Sequence, residues 1–102
     1  MIKAVQSPGN VLKLFLRGFN LNPTSLSKQV KLSQATVRLL TIDKTRISVS
    51  VALRLAKFFG MKPEYWLNLQ LQYDLAKAVK NTKLLKLISH IPTGKKPAKT
   101  KK

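Results

Sequence analysis

The stretch Asn22-Pro23-Thr24-Ser25-Leu26-Ser27-Lys28-Gln29-Val30-Lys31-Leu32-Ser33-Gln34-Ala35-Thr36-Val37-Arg38-Leu39-Leu40 decides the fold. Asn22 is a good helix N-cap, and Pro23 follows at the first helical position, where its missing N–H costs nothing. Ser33 repeats the capping signal further on. The pattern predicts two short helices, 23–29 and 33–40, joined by a tight connection. Leu26, Val30, Leu32, Val37 and Leu40 supply the apolar set, and Ser27 is a small residue where two steeply crossed helices can touch. This is the helix-turn-helix pattern, in which the second helix is held out from the body.

A helix held in that way fits a DNA major groove, and its N-terminus aims the positive end of its dipole at phosphates. The outward positions of the second helix are Gln34, Ala35, Arg38 and Leu39. Gln34 can pair with an adenine edge and Arg38 with a guanine edge, while Ala35 and Leu39 offer apolar contact to a thymine methyl. Ser33, Thr36, Lys44 and Arg46 are candidates for phosphate contact, as are Thr24 and Lys28 on the first helix. Phosphate contacts set register and affinity; base-edge contacts set sequence.

Outward from this motif, apolar residues recur at helical spacing and strand-like alternation is scarce. Residues 11–17 predict a helix with Leu12, Phe15, Leu16 and Phe19 on one side and Gly18 as its cap. Ser48 opens another, with Ala52, Leu55, Ala56 and Phe59 inward and Gly60 as terminator. Pro63 starts a fifth, with Trp66, Leu69, Tyr73 and Ala76 on one face, ending past Val79. Trp66 and Tyr73, at i and i+7, read as core or dimer packing. Residues 83–91 can form one more short helix, with contact to a second copy, contact to a partner protein or a membrane surface as its candidate roles. Glu64 in the first turn after Pro63 favours the helix dipole. The expectation is an all-α domain over residues 1–91. A lysine-rich tail over 92–102 is too poor in apolar residues to bury a core.

Composition points to the same partner. The chain has 102 residues, 20 Lys plus Arg and three Asp plus Glu, for a formal charge of +17. Subtracting the tail's five lysines still leaves 15 basic residues against three acids, a net of +12. Nucleic acid and an anionic membrane face both suit that sign. No apolar run approaches the roughly 20 residues of a membrane span, so a cytoplasmic protein is expected. There is no cysteine and one histidine, which excludes thiolate metal sites and cysteine nucleophiles; neither a metal, a cofactor nor an enzyme activity is expected.

Ser7-Pro8-Gly9, the helix-turn-helix of residues 21–40, and above all residues 47–60 (ISVSVALRLAKFFG) followed by Pro63-Glu64-Tyr65-Trp66-Leu67-Asn68-Leu69-Gln70 and Tyr73-Asp74-Leu75 resemble the HigA antitoxins. These are the virulence-associated protein I family, within the Xre/lambda-repressor-like class. The resemblance implies a five-helix DNA-binding domain, here with a short C-terminal helix added, that dimerises through its C-terminal helices; Trp66, Leu69 and Tyr73 are the candidate dimer residues. It implies binding to a palindromic operator of its own operon and silencing of a HigB-type mRNA endonuclease. Where the family commonly has a turn glycine this chain has Lys31, and in place of Asn-Gly after the recognition helix it has Ile42-Asp43. The alternative is a stand-alone Xre-type repressor, or a nucleoid-like basic DNA-binding protein, without a toxin partner.

Overall fold

A computed structural model describes residues 6–95 of the chain. Among them are six α-helices and no strand: α1 (Pro8–Gly18), α2 (Pro23–Val30), α3 (Gln34–Thr41), α4 (Val49–Phe59), α5 (Pro63–Ala78) and α6 (Thr82–Ser89). The tail from residue 96 onward lies outside the described residues.

Capping chemistry sets most helix starts. The side chains of Ser7, Asn22, Ser33, Ser48 and Asn81 accept the N–H of Asn10, Ser25, Thr36, Val51 and Leu84 respectively. Each such cap contributes about 1 kcal/mol. Gly60, at φ 68, closes α4 in the left-handed region. Two endings differ from the sequence pattern. Gly18 stays inside α1, and the left-handed residue after the helix is Asn20 (φ 54), because Asn tolerates that region better than most residues with a side chain and lies where the helix stops. The fifth helix ends at Ala78, with Val79 as its C-cap rather than an interior residue.

The core gathers Leu12 and Leu16 of α1, Leu26 and Val30 of α2, Val37 and Leu40 of α3, Leu55, Ala56 and Phe59 of α4, and Trp66 of α5. Phe19, placed on the inner side of α1 by its spacing, is 49% exposed and packs edge-on against Phe59 at the rim. Trp66 is fully enclosed, with its ring centroid 5.0 Å from Phe15 and 5.6 Å from Tyr65. Its indole Nε1 has no hydrogen-bond partner. An unmade bond of that kind costs about 1–3 kcal/mol. Enclosing an indole contributes roughly 4–6 kcal/mol at about 25 cal/mol per Å². Burial therefore wins, and Trp66 anchors α5 to α1 and α4. Helix α6 buries none of its residues.

Candidate nucleic-acid interface

Helix α3 is presented by its neighbours on one side and open on the other. Val37, Leu40 and Thr41 face the core; Gln34, Ala35, Arg38 and Leu39 are all exposed. At its start, Ser33 Oγ accepts the Thr36 N–H at 3.0 Å and donates to Thr36 Oγ1 at 2.9 Å, so the exposed Ser33 and half-buried Thr36 lock together. At its end, Thr41 Oγ1 donates to the Arg38 carbonyl at 2.7 Å. The turn before α3 bends at Lys31, which adopts φ 61 and so fills a glycine-like position with a side chain. Ser27, 2% exposed, is buried on the inner side of α2 and donates through Oγ to the Thr24 carbonyl at 2.7 Å.

The four outward residues of α3 thus share one open face. Of the residues read as phosphate contacts, Lys28 and Lys44 are exposed and carry no acidic partner among the described residues, while Thr24 is half-buried. The Lys44 N–H donates to the Leu39 carbonyl at 2.9 Å, which holds the loop after α3 against that helix. Arg46 is exposed but engaged: its Nη1 forms an ion pair with Asp74 of α5. Asp74 in turn accepts from Gln70 Nε2 at 3.1 Å, and Gln70 Oε1 accepts the Ile47 N–H at 2.8 Å. Burial opposes ionisation of Asp74, but the hydrogen bonds from Arg46 and Gln70 and the charges of Arg46 and Lys77 outweigh it, holding the carboxyl below the usual carboxylate range.

Two further cations that the sequence pattern did not single out lie beside the helix-turn-helix. Lys13 and Arg17, one helical turn apart on α1, line a cleft with Asn22 and Pro23 at the start of α2 and Thr41 at the end of α3. Their i, i+4 spacing was the available signal, but only the tertiary packing shows that it faces the start of α2.

The three acids of the chain are all taken up structurally. Asp43 receives the Gly9 N–H, Asp74 pairs with Arg46, and Glu64 occupies the first turn of α5. None lies on α3, so its open face presents no fixed negative charge. Of the residues assigned to dimer contact, Leu69 and Tyr73 are half-buried, with Lys77 Nζ 5.0 Å over the Tyr73 ring. Trp66 is closed inside the chain's own core and leaves any contact with a second copy to the residues around it. No helix among the described residues is long and apolar enough to cross a membrane.

No family model matches the chain. It is 33% identical over 76 residues to a helix-turn-helix-type transcriptional regulator of Haemophilus influenzae, covering 74% of this chain and 71% of that protein. The Pseudomonas aeruginosa antitoxin HigA, solved with the higBA promoter, superposes with a TM-score of 0.78 at 32% identity, covering 87% of this chain and 97% of that one. An addiction-module antidote protein of the HigA family from Coxiella burnetii superposes with a TM-score of 0.82 at 31% identity, over 90% of this chain and all of the other. These relatives are regulators and antitoxins, not enzymes. With an open, acid-free α3 set on a five-helix core, and with that identity over more than two thirds of the regulator and nearly the whole length of the two HigA proteins, the chain belongs to the HigA-type antitoxins of the helix-turn-helix transcriptional regulators.

Proposed function

We propose that this protein is a sequence-specific DNA-binding antitoxin that represses its own operon. The observation that carries the reading is the shared open face of Gln34, Ala35, Arg38 and Leu39 on a helix capped at both ends. Such a face can enter a major groove without first being ordered, so little affinity is lost to entropy. Gln34 and Arg38 read base edges; Ala35 and Leu39 pack on thymine methyls. Lys28, Lys44, Ser33, Thr36 and Thr24 hold the phosphates, joined by Lys13 and Arg17; Arg46 joins when it leaves Asp74. Repression follows from steric occlusion of a promoter.

The binding unit is a homodimer on a palindromic operator. Helix α6 has eight residues, too few to hold a helix alone, and leaves Leu84, Leu85, Leu87, Ile88 and the following Ile91 exposed. With Leu71 and Leu75 of α5 and its C-cap Val79, these residues supply apolar surface for a second copy. The partner to be silenced is a HigB-type toxin, a reading that rests on family membership. The site of action is the cytoplasmic nucleoid.

Footprinting on DNA upstream of the gene tests the reading. Two protected major-groove patches about 34 Å apart should appear, related by a dyad. Scattered or absent protection would contradict it.

The net charge of +17 favours a second reading, a stand-alone or nucleoid-like binder driven by charge. Competition at physiological salt separates the two: a repressor should prefer its own site over random duplex by at least about a thousandfold.

A further inference from the structure

Arg54, on α4, is half-buried and has no role in any surface described so far. Its Nη1 donates to the carbonyl oxygens of both Val30 and Lys31, at 2.8 and 2.9 Å, and its Nε donates to Ser50 Oγ at 3.3 Å. Those two carbonyls flank the point where the chain leaves α2: Val30 is the last residue of that helix and Lys31 is its C-cap. Carbonyls at a helix C-terminus lack helical partners and carry the negative end of the dipole, so a cation bridging two of them is well placed.

The same turn carries strain. Lys31 holds a side chain at φ 61, where glycine would sit without steric cost. Only Lys31, Leu32 and Ser33 separate α2 from α3. An eight-residue helix is about 12 Å long, so a rotation of about 10° at the turn moves its far end by roughly 2 Å. That is enough to break a base-edge hydrogen bond.

We infer that Arg54 is the positioning residue of the helix-turn-helix: it clamps the strained Lys31 turn to α4 and so fixes the angle at which α3 meets DNA. The inference rests on α3 being the DNA-reading helix. Lysine cannot replace it fully: one ammonium can reach the carbonyls, but it sits on a flexible stem and lacks the second donor, Nε, that bonds Ser50 and holds the planar head in place.

Arg54→Lys keeps the charge and tests the clamp. Two quantities are read on folded protein, checked by far-ultraviolet circular dichroism. The first is the ratio of affinities for the protein's own upstream duplex and a random duplex. The second, without DNA, is hydrogen exchange of the Leu32 amide, which is bonded to the Ser27 carbonyl at 3.0 Å. The variant should lower the ratio by about tenfold, leave random-duplex affinity and its salt slope unchanged, and speed Leu32 exchange. Adding Lys31→Gly should recover most of the ratio, since it removes the strain that the clamp restrains. If Arg54→Lys does not fold, Ser50→Ala, which removes the hydroxyl that orients the Arg54 guanidinium, is compared with wild type in the same two assays and should move both in the same direction. Unchanged ratio and exchange would overturn the clamp; so would an equal loss on both duplexes with a shallower salt slope, which marks a phosphate contact. If the wild-type protein does not discriminate the duplexes, the DNA-reading role fails on its own. The exchange measurement then still decides the clamp, with faster exchange supporting it and unchanged exchange overturning it.

Discussion

The backbone N–H of Gly9 donates to Asp43 Oδ1 at 2.8 Å across 34 residues of sequence. The bond joins the first turn of α1 to the loop leaving α3, and glycine is required for so close an approach. A Cβ at position 9 would lie 2.6 Å from the Thr41 carbonyl oxygen and 2.7 Å from that of Leu40. Backbone cannot give way as a flexible side chain can. Gly9→Ala should therefore destabilise the protein by about 1–3 kcal/mol, as overpacked sites do, read as a lower urea midpoint.

Asp43 itself sits at φ 58. Asn tolerates that region and keeps an acceptor oxygen; Ala does neither. Asp43→Asn should change stability little, while Asp43→Ala should cost about 1–2 kcal/mol, the range for a lost helix-terminal acceptor. Chemical denaturation of the pair checks this, and an equal loss in both would show that charge, not geometry, matters.

Stability should depend on pH through Asp74. Its folded pKa lies below the unfolded value, so its contribution is complete above the ordinary aspartate pKa of about 3.9 and is lost as pH falls through that value towards the lower folded one. Its side chain is 36% exposed, so solvent screening keeps the effect small. Urea midpoints for wild type and Asp74→Asn should converge as pH is lowered through this range and differ above it.

Phosphate contact should show in salt dependence. Lys44→Ala should weaken selected and random duplexes alike and lower the salt slope by about one. Arg46→Ala should do less, because DNA must first draw Arg46 from Asp74. Asp74→Asn should strengthen binding to both duplexes by freeing that cation. Titrations between low and moderate salt measure all three.

What could be read from sequence here is what acts locally. Asn22, Ser33 and Ser48 cap their own helices, and Gly60 ends α4, because each bond spans only a few residues. The exposed face of α3 followed from helical spacing alone. Long-range partners were not legible. Gly9 meeting Asp43, Arg54 reaching Val30 and Lys31, and Asp74 holding Arg46 join positions 23 to 34 residues apart. Each pairing depends on how the helices pack. Trp66 shows the same limit: its spacing fitted a core or an interface, and only its enclosure by Phe15, Phe59 and Tyr65 decides for the core.

The most direct test concerns Gln34 and Arg38. Affinities of the wild-type protein and of Gln34→Ala/Arg38→Ala are measured for the duplex upstream of the gene and for a random duplex, at one salt concentration. Losing two base-edge contacts of about 1–3 kcal/mol each should weaken the upstream duplex by about a hundredfold or more. The random duplex should lose far less, the part due to one positive charge. Undiminished preference for the upstream duplex in the double variant would contradict the assignment of α3 as the reading helix.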